Sequence, residues 1–525
     1  MADHTVDLLV IGAGASGATL AFEAVRRGLS VALLEGGDIG GGTSCRSTKL
    51  LHGGVRYLEL AFKTLDIAQL QLVREALLER AHWLDQAPFL ARRLDLVLPT
   101  DSLWGQAYYR AGLGIYDALA GRRGIGRSHG VSQQQLQKAM PWLKPCRGGV
   151  AYSDGQFDDA RLNVLLARSA EQGGASLRTR CRVVAFERTA EGSVCAAISE
   201  NSAGLQERWN ASVIVNATGI QADSIRQMAD PDAVPRMLTS RGSHLVLEQD
   251  LCPGGLGLLV PSTVDGRVLF MLPFMGRTLV GTTDAPCAID AATSPTDDEE
   301  AYLLNYVRQW FPKLKDPTVS SRWAGGRPLL RPAGENLDSS RLVREHEVES
   351  LPCGLISLMG GKWTTCRPMA LDTLTAVARR FGRSLPVTRS LALLGSGSSA
   401  EQTGQALNEQ AIQLEALLPR GPLMQRQIRH LQASHGLEAL KLVLQADPDS
   451  REPLSSAIPV CIAEIDHAIH HEHAKSATDV LARRCRLAMV DLGEAQRLQG
   501  LVEQRLVQAG VDVVSTSPIS HQLMP

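Results

Sequence analysis

The sequence predicts an α/β fold: a Rossmann-like dinucleotide-binding domain, an antiparallel β-rich domain inserted into it, and an α-helical C-terminal domain. Three observations carry this. An apolar strand, Val6 to Ile11, runs into Gly12-Ala13-Gly14-Ala15-Ser16-Gly17, an Ala-rich helix, and a second strand, Val31 to Leu34, that ends in Glu35. Between about 236 and 340, strand patterns alternate with Gly and Pro turns. Beyond Gly395-Ser396-Gly397-Ser398-Ser399 the composition shifts to Leu, Ala, Gln, Glu and Arg at helical spacing, with no strand signal.

The first element is the layout of a dinucleotide-binding βαβ unit. Gly12 permits a tight turn, Gly14 lets backbone N–H groups approach a pyrophosphate at the helix N-terminus, and Gly17 lets helix and strand pack closely. Glu35, about 20 residues on, is placed to accept hydrogen bonds from a ribose hydroxyl. Leu70, Val73, Leu77, Ala81 and Leu84 then mark one face of a helix that stops at Pro88. Residues 89–145 read as loops and short helices. From Ser176 a β-meander leads to Ala211 to Gly219, a strand ending in Ala217-Thr218-Gly219, where small residues let backbone lie against a ligand. Strands are expected at Ser243 to Glu248, Arg267 to Leu272 and Thr278 to Thr283. A strand at Leu355 to Met359 meets Gly360-Gly361-Lys362-Trp363-Thr364-Thr365, a second Gly-rich turn opening a helix and returning the chain to its first domain.

A chain of 525 residues exceeds one core, and 44% hydrophobic content is enough to build several. Lys and Arg (54) nearly balance Asp and Glu (55), so no global attraction to nucleic acid is indicated. The ten cysteines are dispersed without a Cys-x-x-Cys pair, which fits a reducing compartment. The first strand begins within six residues of Met1, which leaves no room for a signal peptide, and no run of about 18 apolar residues spans a bilayer.

A nucleotide fold interrupted by a β-rich block and completed by a late Gly-Gly turn fits a two-domain flavoenzyme better than a simple NAD dehydrogenase. On its motifs the chain resembles the FAD-dependent glycerol-3-phosphate dehydrogenases. The resemblance rests on the Gly-x-Gly-x-x-Gly with Glu35, the run Gly42 to Leu58, the run Tyr152 to Leu162, Asn216 to Gly219, Gly242-Ser243-His244, Val280 to Asp284, Gly326-Arg327-Pro328 and Gly360 to Thr365. It implies oxidation of sn-glycerol 3-phosphate to dihydroxyacetone phosphate, with noncovalent FAD taking hydride from C2 and electrons leaving to a membrane quinone pool. Rival readings are an oxidase using dioxygen, a flavoenzyme acting on a hydroxy acid or amine, and a non-catalytic flavin-bound sensor. The expected organisation is an FAD-binding domain from 1–88, 146–235 and 341–390, a substrate- or membrane-facing segment at 89–145, a substrate domain at 236–340 and a helical domain at 400–525. The expected location is cytoplasmic, peripheral at the inner membrane's cytoplasmic face; a homo-oligomer is left open.

Cofactor contacts are expected from Gly12, Gly14, Gly17, Glu35, Thr43, Ser44, Ala217, Gly219, Gly361 and Thr364. The hydroxyls and N–H groups of Gly42-Thr43-Ser44 are placed to meet the pyrophosphate or flavin from the opposite side. Lys49, His52 and Arg56 fall near i, i+3 and i+7, which on a helical turn gathers donors on one side, with Tyr57 adjoining. With Arg344 and Lys362 they form the expected substrate-binding set. The resemblance alone lifts Arg344 above a surface ion pair. Arg grips a phosphate through a planar fork, whereas Lys acts as a mobile point charge. His244, a candidate proton acceptor, has a packed strand histidine as its rival reading. Arg327 is the candidate for stabilising a developing alkoxide.

Two features are read conservatively. His467 and His471 have the i, i+4 spacing of a metal pair, but no third ligand motif accompanies them or His470 and His473, and no metal is expected. Cys45 and Cys366 are taken as packing residues. Leu103, Trp104, Tyr108, Tyr109, Leu113, Ile115, Tyr116 and Leu119 surround Arg110, Arg122 and Arg123, a combination suited to a membrane interface or to a partly buried helix with a basic end.

Overall fold

The computed structural model describes residues 1–54, 67–261, 263–264, 266–331, 346–511 and 518–520. Their strands form two sheets. The first has the spatial order 346–350, 356–360, 206–216, 2–11, 31–34, 176–178. Ala2–Ile11 is parallel to both Gln206–Asn216 and Val31–Leu34, and Gln206–Asn216 is parallel to Ile356–Gly360. Both faces of this sheet are covered, so Leu8, Leu9, Val10, Leu33 and Val215 form an unbroken apolar layer without solvent exposure. The carboxyl ends of these strands meet at one edge. Gly12, Glu35, Ala217 and Gly361 therefore arrive at one crevice from four places in the chain.

Helix Ala15–Arg26 packs its Leu20, Ala21 and Ala24 against Leu162 and Leu166 of Asp159–Gln172 and Ala370 and Leu374 of Cys366–Phe381. The meander expected before Ala217 is resolved differently. Ser176–Arg178 pairs with Val31–Leu34, and the last meander strand and the strand leading to Ala217 are one, Gln206–Asn216.

The second sheet runs in the order 285–286, 237–247, 277–281, 269–274, 257–260, 91–100, 148–157, 50–51, with Val319–Leu330 on the other side of Met237–Leu247. Residues 89–145 are not mainly loops: Ala91–Thr100 is a ten-residue strand whose Leu94, Leu96 and Leu98 alternate into the core, and Leu103–Ala120 is a helix capped by Ser102. Gly148–Phe157, assigned above to the cofactor domain, pairs in register with Ala91–Thr100 and belongs to this second sheet. The boundary there was obscured because Tyr152 to Gln156 mixes polar and apolar residues, yet every position of the strand is buried.

Helices Ala400–Leu417, Met424–His435 and Glu438–Gln445 share a small core of Leu414, Ile428, Leu431 and Leu442. The following helices, Ile462–His471 and Leu492–Gln508, join one continuous core with Val246, Leu272 and Trp323 of the second sheet. The Gly395 to Ser399 segment is docked, not a free linker: Gly395 O accepts from Leu437 N at 2.9 Å and Ser396 Oγ donates to Gln86 O at 2.6 Å. Among the described residues no helix is long and apolar enough to cross a membrane.

Candidate active site

The glycine turn is shaped to bring backbone close to a ligand. Gly12 has φ +99°, and a Cβ there would sit 2.8 Å from Ala217 O. A Cβ on Gly17 would lie 1.8 Å from Gly12 O, and one on Gly14 would lie 3.0 Å from Ser44 Oγ. No side chain fits at Gly12 or Gly17 without moving backbone, so the N-terminus of helix Ala15–Arg26 stays open to a phosphate. Gly361 takes φ +84°, a backbone conformation that strains any L side chain. Gly219, φ +60°, has open space instead.

Glu35, expected to face a ribose, is held by backbone donors. Its Oε2 accepts from Ala13 N and its Oε1 from Gly37 N, both at 2.7 Å, so it staples the glycine turn to the loop after it. Burial raises its pKa and the two backbone donors pull it back. Asn163 Nδ2 and Gly40 N both donate to Ala13 O, at 2.7 and 3.0 Å.

Residues 43–54 thread between the crevice and the second sheet. Ser44 Oγ accepts from Ala15 N at 2.9 Å, and Ser44 O accepts from Trp363 Nε1 at 2.8 Å. Thr43, predicted to meet the cofactor, donates its hydroxyl to Gly326 O at 2.6 Å, so it ties the segment to the strand bearing Arg327. His52 N donates to Thr364 Oγ1 at 3.4 Å, which places His52 beside the second Gly-rich turn. Lys362, at the head of the Trp363–Thr365 turn, is half-buried.

Lys49 departs from its predicted role. The helical spacing does not apply, because Leu50–Leu51 is a short strand paired with Gln156 and Gly155, and Lys49 takes φ +62°. Its side chain turns inward and is fully buried. Nζ donates to Asp159 Oδ2 at 2.7 Å and to Cys45 O at 2.8 Å, while Arg486 meets the other Asp159 oxygen at 3.0 Å. Burial lowers the Lys49 pKa to about 8 against the pull of Asp159. It is a charge beneath the site, not a donor lining it. Arg56, Tyr57 and Arg344 lie outside the described residues.

His244 is buried, stacked on Trp323 with ring centroids 5.6 Å apart and planes 15° apart. Nε2 lies 2.9 Å from Thr48 Oγ1, and Nδ1 is buried. Burial, then the charges of Lys49 and Arg327, hold its pKa well below the usual histidine value, so the ring is neutral. Gly281 makes room for it: a Cβ there would lie 2.3 Å from His244 Cδ2. Arg327, four positions along the neighbouring strand from the residue paired with His244, donates to Thr283 O at 2.9 Å and Thr282 Oγ1 at 3.1 Å, with Asp284 at 3.4 Å. A side chain at Gly242 would collide with this guanidinium at 2.6 Å.

The structure thus gathers the glycine turn, Ser44, Thr364, His52, His244 and Arg327 around one segment. Thr48, Asn163 and Gly281 were not singled out from sequence. Thr48 and Gly281 lay within motifs already noted, whereas nothing local marks Asn163 as a neighbour of the crevice.

In the C-terminal unit, ligand atoms of His435, His467 and Glu472 come within 4.8 Å of one another. Arg161 already holds that carboxylate by two bonds, at 2.6 and 2.8 Å, and reaches His435 Nδ1 at 3.3 Å. An arginine therefore fills the place a metal cation would take.

A glycine turn where a side chain at Gly12 or Gly17 would strike backbone, reached by the same segment that pairs with a buried neutral histidine, fits a dinucleotide-binding enzyme. Residues 7–366 match the model of the FAD dependent oxidoreductase family, and residues 386–505 match the C-terminal domain of alpha-glycerophosphate oxidase. The chain belongs to the FAD-dependent oxidoreductases; it is an enzyme and its cofactor is FAD. Within that family it is 38% identical over 523 residues to a mitochondrial glycerol-3-phosphate dehydrogenase of Arabidopsis thaliana, covering 96% of this chain and 82% of that protein. The human mitochondrial glycerol-3-phosphate dehydrogenase is 35% identical over 511 residues, covering 93% of this chain and 68% of that one. The crystal structure of glycerol-3-phosphate dehydrogenase from Bacillus halodurans complexed with FAD shares the fold: TM-score 0.73 at 24% identity, over 98% of this chain and 96% of that one.

Proposed function

We propose that this enzyme oxidises sn-glycerol 3-phosphate at C2 to dihydroxyacetone phosphate, holding FAD noncovalently and passing electrons to a quinone-type acceptor. The observation that carries the reading is His244, neutral, buried and paired with Thr48 in the same segment whose Ser44 reaches the glycine turn. FAD, when bound, supplies the acceptor for the hydride. The 2.9 Å contact between His244 Nε2 and the Thr48 hydroxyl orients the neutral ring to take the C2 hydroxyl proton. Lys49 and Arg327 suppress its protonation while the site is unliganded. A phosphate dianion entering the site offsets those charges, so the base strengthens when substrate binds. In this reading Arg327 stabilises alkoxide character at C2, and Arg56, Arg344 and Lys362 form the phosphate set.

Peripheral membrane contact belongs to the same proposal. On helix Leu103–Ala120, Leu113 and Tyr116 face the core, whereas Leu103, Trp104 and Tyr108 are 69, 87 and 61% exposed. Of the aromatic and aliphatic residues read as membrane-facing, Tyr109, Leu113, Tyr116 and Leu119 instead pack inward. The exposed set beside Arg110, Arg122 and Arg123 supports docking on an anionic surface.

Anaerobic mixing with glycerol 3-phosphate, glycerol, a 2-hydroxy acid and an amino acid tests the substrate. Bleaching of the flavin by the first alone is expected; equal bleaching by an amino acid overturns the reading. Peroxide formed stoichiometrically in air would replace the quinone acceptor with dioxygen. Denaturation should release a flavin with the mass of FAD.

A further inference from the structure

The helical C-terminal unit carries no assigned task, yet one short turn of it reaches the loop that wraps the cofactor cradle. That loop, residues 36–46, follows Glu35 and delivers Gly40 to Ala13 and Ser44 to Ala15. Near its start, Gly37 O accepts from Arg180 N at 2.9 Å, and the Arg180 side chain is held by Asp479 at 2.7 and 2.8 Å. Next to it Asp38, buried, accepts from Arg483 Nε at 2.5 Å and from two nitrogens of Arg484, each at 2.7 Å. At its far end Cys45 O accepts from Arg486 Nη2 at 3.2 Å. Asp479, Arg483, Arg484 and Arg486 are all buried, and Asp479 also pairs with Arg483. Both ends of the loop are thus fixed by charges from one turn, more than 430 residues away along the chain.

We propose that the Asp479 to Arg486 turn is an intramolecular clamp for cofactor retention, with Asp38, Arg483 and Arg484 as positioning residues. The inference rests on the cradle being the seat of the FAD pyrophosphate. The clamp holds the loop in the conformation that presents Ser44 and Gly40 to the turn at Ala13 and Ala15. A loop that adopts this conformation for only a fraction of the time raises the apparent dissociation constant by the inverse of that fraction. Loss of the clamp that leaves the loop ordered a tenth of the time or less weakens retention at least tenfold.

The test measures FAD release from the holoenzyme, by recovery of flavin fluorescence after dilution, below the onset of unfolding. Asp38→Asn keeps the side chain's shape and removes its charge. Glu438→Gln is the control: it breaks the 2.9 Å ion pair with Arg168 that joins the same C-terminal unit to helix Asp159–Gln172 without touching the loop. Asp38→Asn is expected to release FAD at least tenfold faster than the parent, and Glu438→Gln at the parent's rate. Asp38→Glu, which restores the charge, should recover part of the difference, and excess FAD should restore the visible spectrum of Asp38→Asn. Release at the parent's rate from folded Asp38→Asn overturns the clamp, and so does equally fast release from Glu438→Gln. Should Asp38→Asn not accumulate as folded protein, Arg483→Lys, which keeps the charge but loses the fork, decides by the same criterion. An enzyme that retains FAD in this way but is not bleached by glycerol 3-phosphate would refute the substrate reading and leave the clamp standing.

Discussion

Replacing Gly281 by alanine tests the role of His244 without touching the histidine. The new Cβ would lie 2.3 Å from His244 Cδ2 and 3.0 Å from both Cγ and Nε2. Carbon atoms in comfortable contact sit about 3.5 to 4 Å apart, so the ring must move by about 1 Å or more. It cannot do so in place, because Trp323 is stacked against it and Thr48 holds Nε2 at 2.9 Å. Overpacking of this kind destabilises by about 1 to 3 kcal/mol, and loss of the Thr48 hydrogen bond adds about 1 kcal/mol. A chain with this much buried core tolerates both. The chemical step does not: a catalytic group displaced by about 1 Å can lose on the order of a hundredfold in rate. Stopped-flow flavin reduction at saturating glycerol 3-phosphate should therefore show Gly281→Ala slower by about that factor, with FAD content and apparent substrate affinity close to the parent's. Reduction at the parent's limiting rate in folded, FAD-loaded Gly281→Ala would refute the assignment of His244 as the proton acceptor.

Burial holds the His467 pKa down to about 3, below the unfolded value near 6.5. As pH falls through that window the unfolded chain binds a proton the folded one refuses, so stability drops, by up to about 1.4 kcal/mol per pH unit. His467→Gln should flatten the fall in melting temperature between pH 6.5 and 4.5; parallel profiles would contradict this. Trp104→Ser removes the most exposed aromatic group of helix Leu103–Ala120. If that ring enters a bilayer interface, about 1.5 to 3 kcal/mol is lost, and flotation with anionic liposomes should weaken about ten- to hundredfold; unchanged flotation would remove the helix from the membrane account.

The parallel sheet was legible because its signals are local. The glycines, the apolar strand and Glu35 lie within one βαβ unit, and the physical reason for each glycine reappears as a collision its Cβ would make. The strand Ala91–Thr100 escaped notice although Leu94, Leu96 and Leu98 alternate, because Arg92, Arg93 and Asp95 interrupt the pattern and Pro99 sits within it. Lys49 was misjudged because helical spacing was assumed where the chain is extended, and because its partner, Asp159, is 110 residues away. Separations of 196 and 446 residues likewise hid Thr48 from His244 and Asp38 from Arg484. Spacing exposes partners within one element; a buried ion pair between distant segments leaves no periodicity to read.

In the proposed reaction the C2 hydrogen of glycerol 3-phosphate leaves as hydride to the flavin of this chain. Anaerobic stopped-flow reduction with substrate carrying deuterium at C2 tests it most directly. Full bleaching by both isotopologues is expected, severalfold slower with deuterium at saturation. Absence of bleaching by either, with FAD bound and the protein folded, would contradict it.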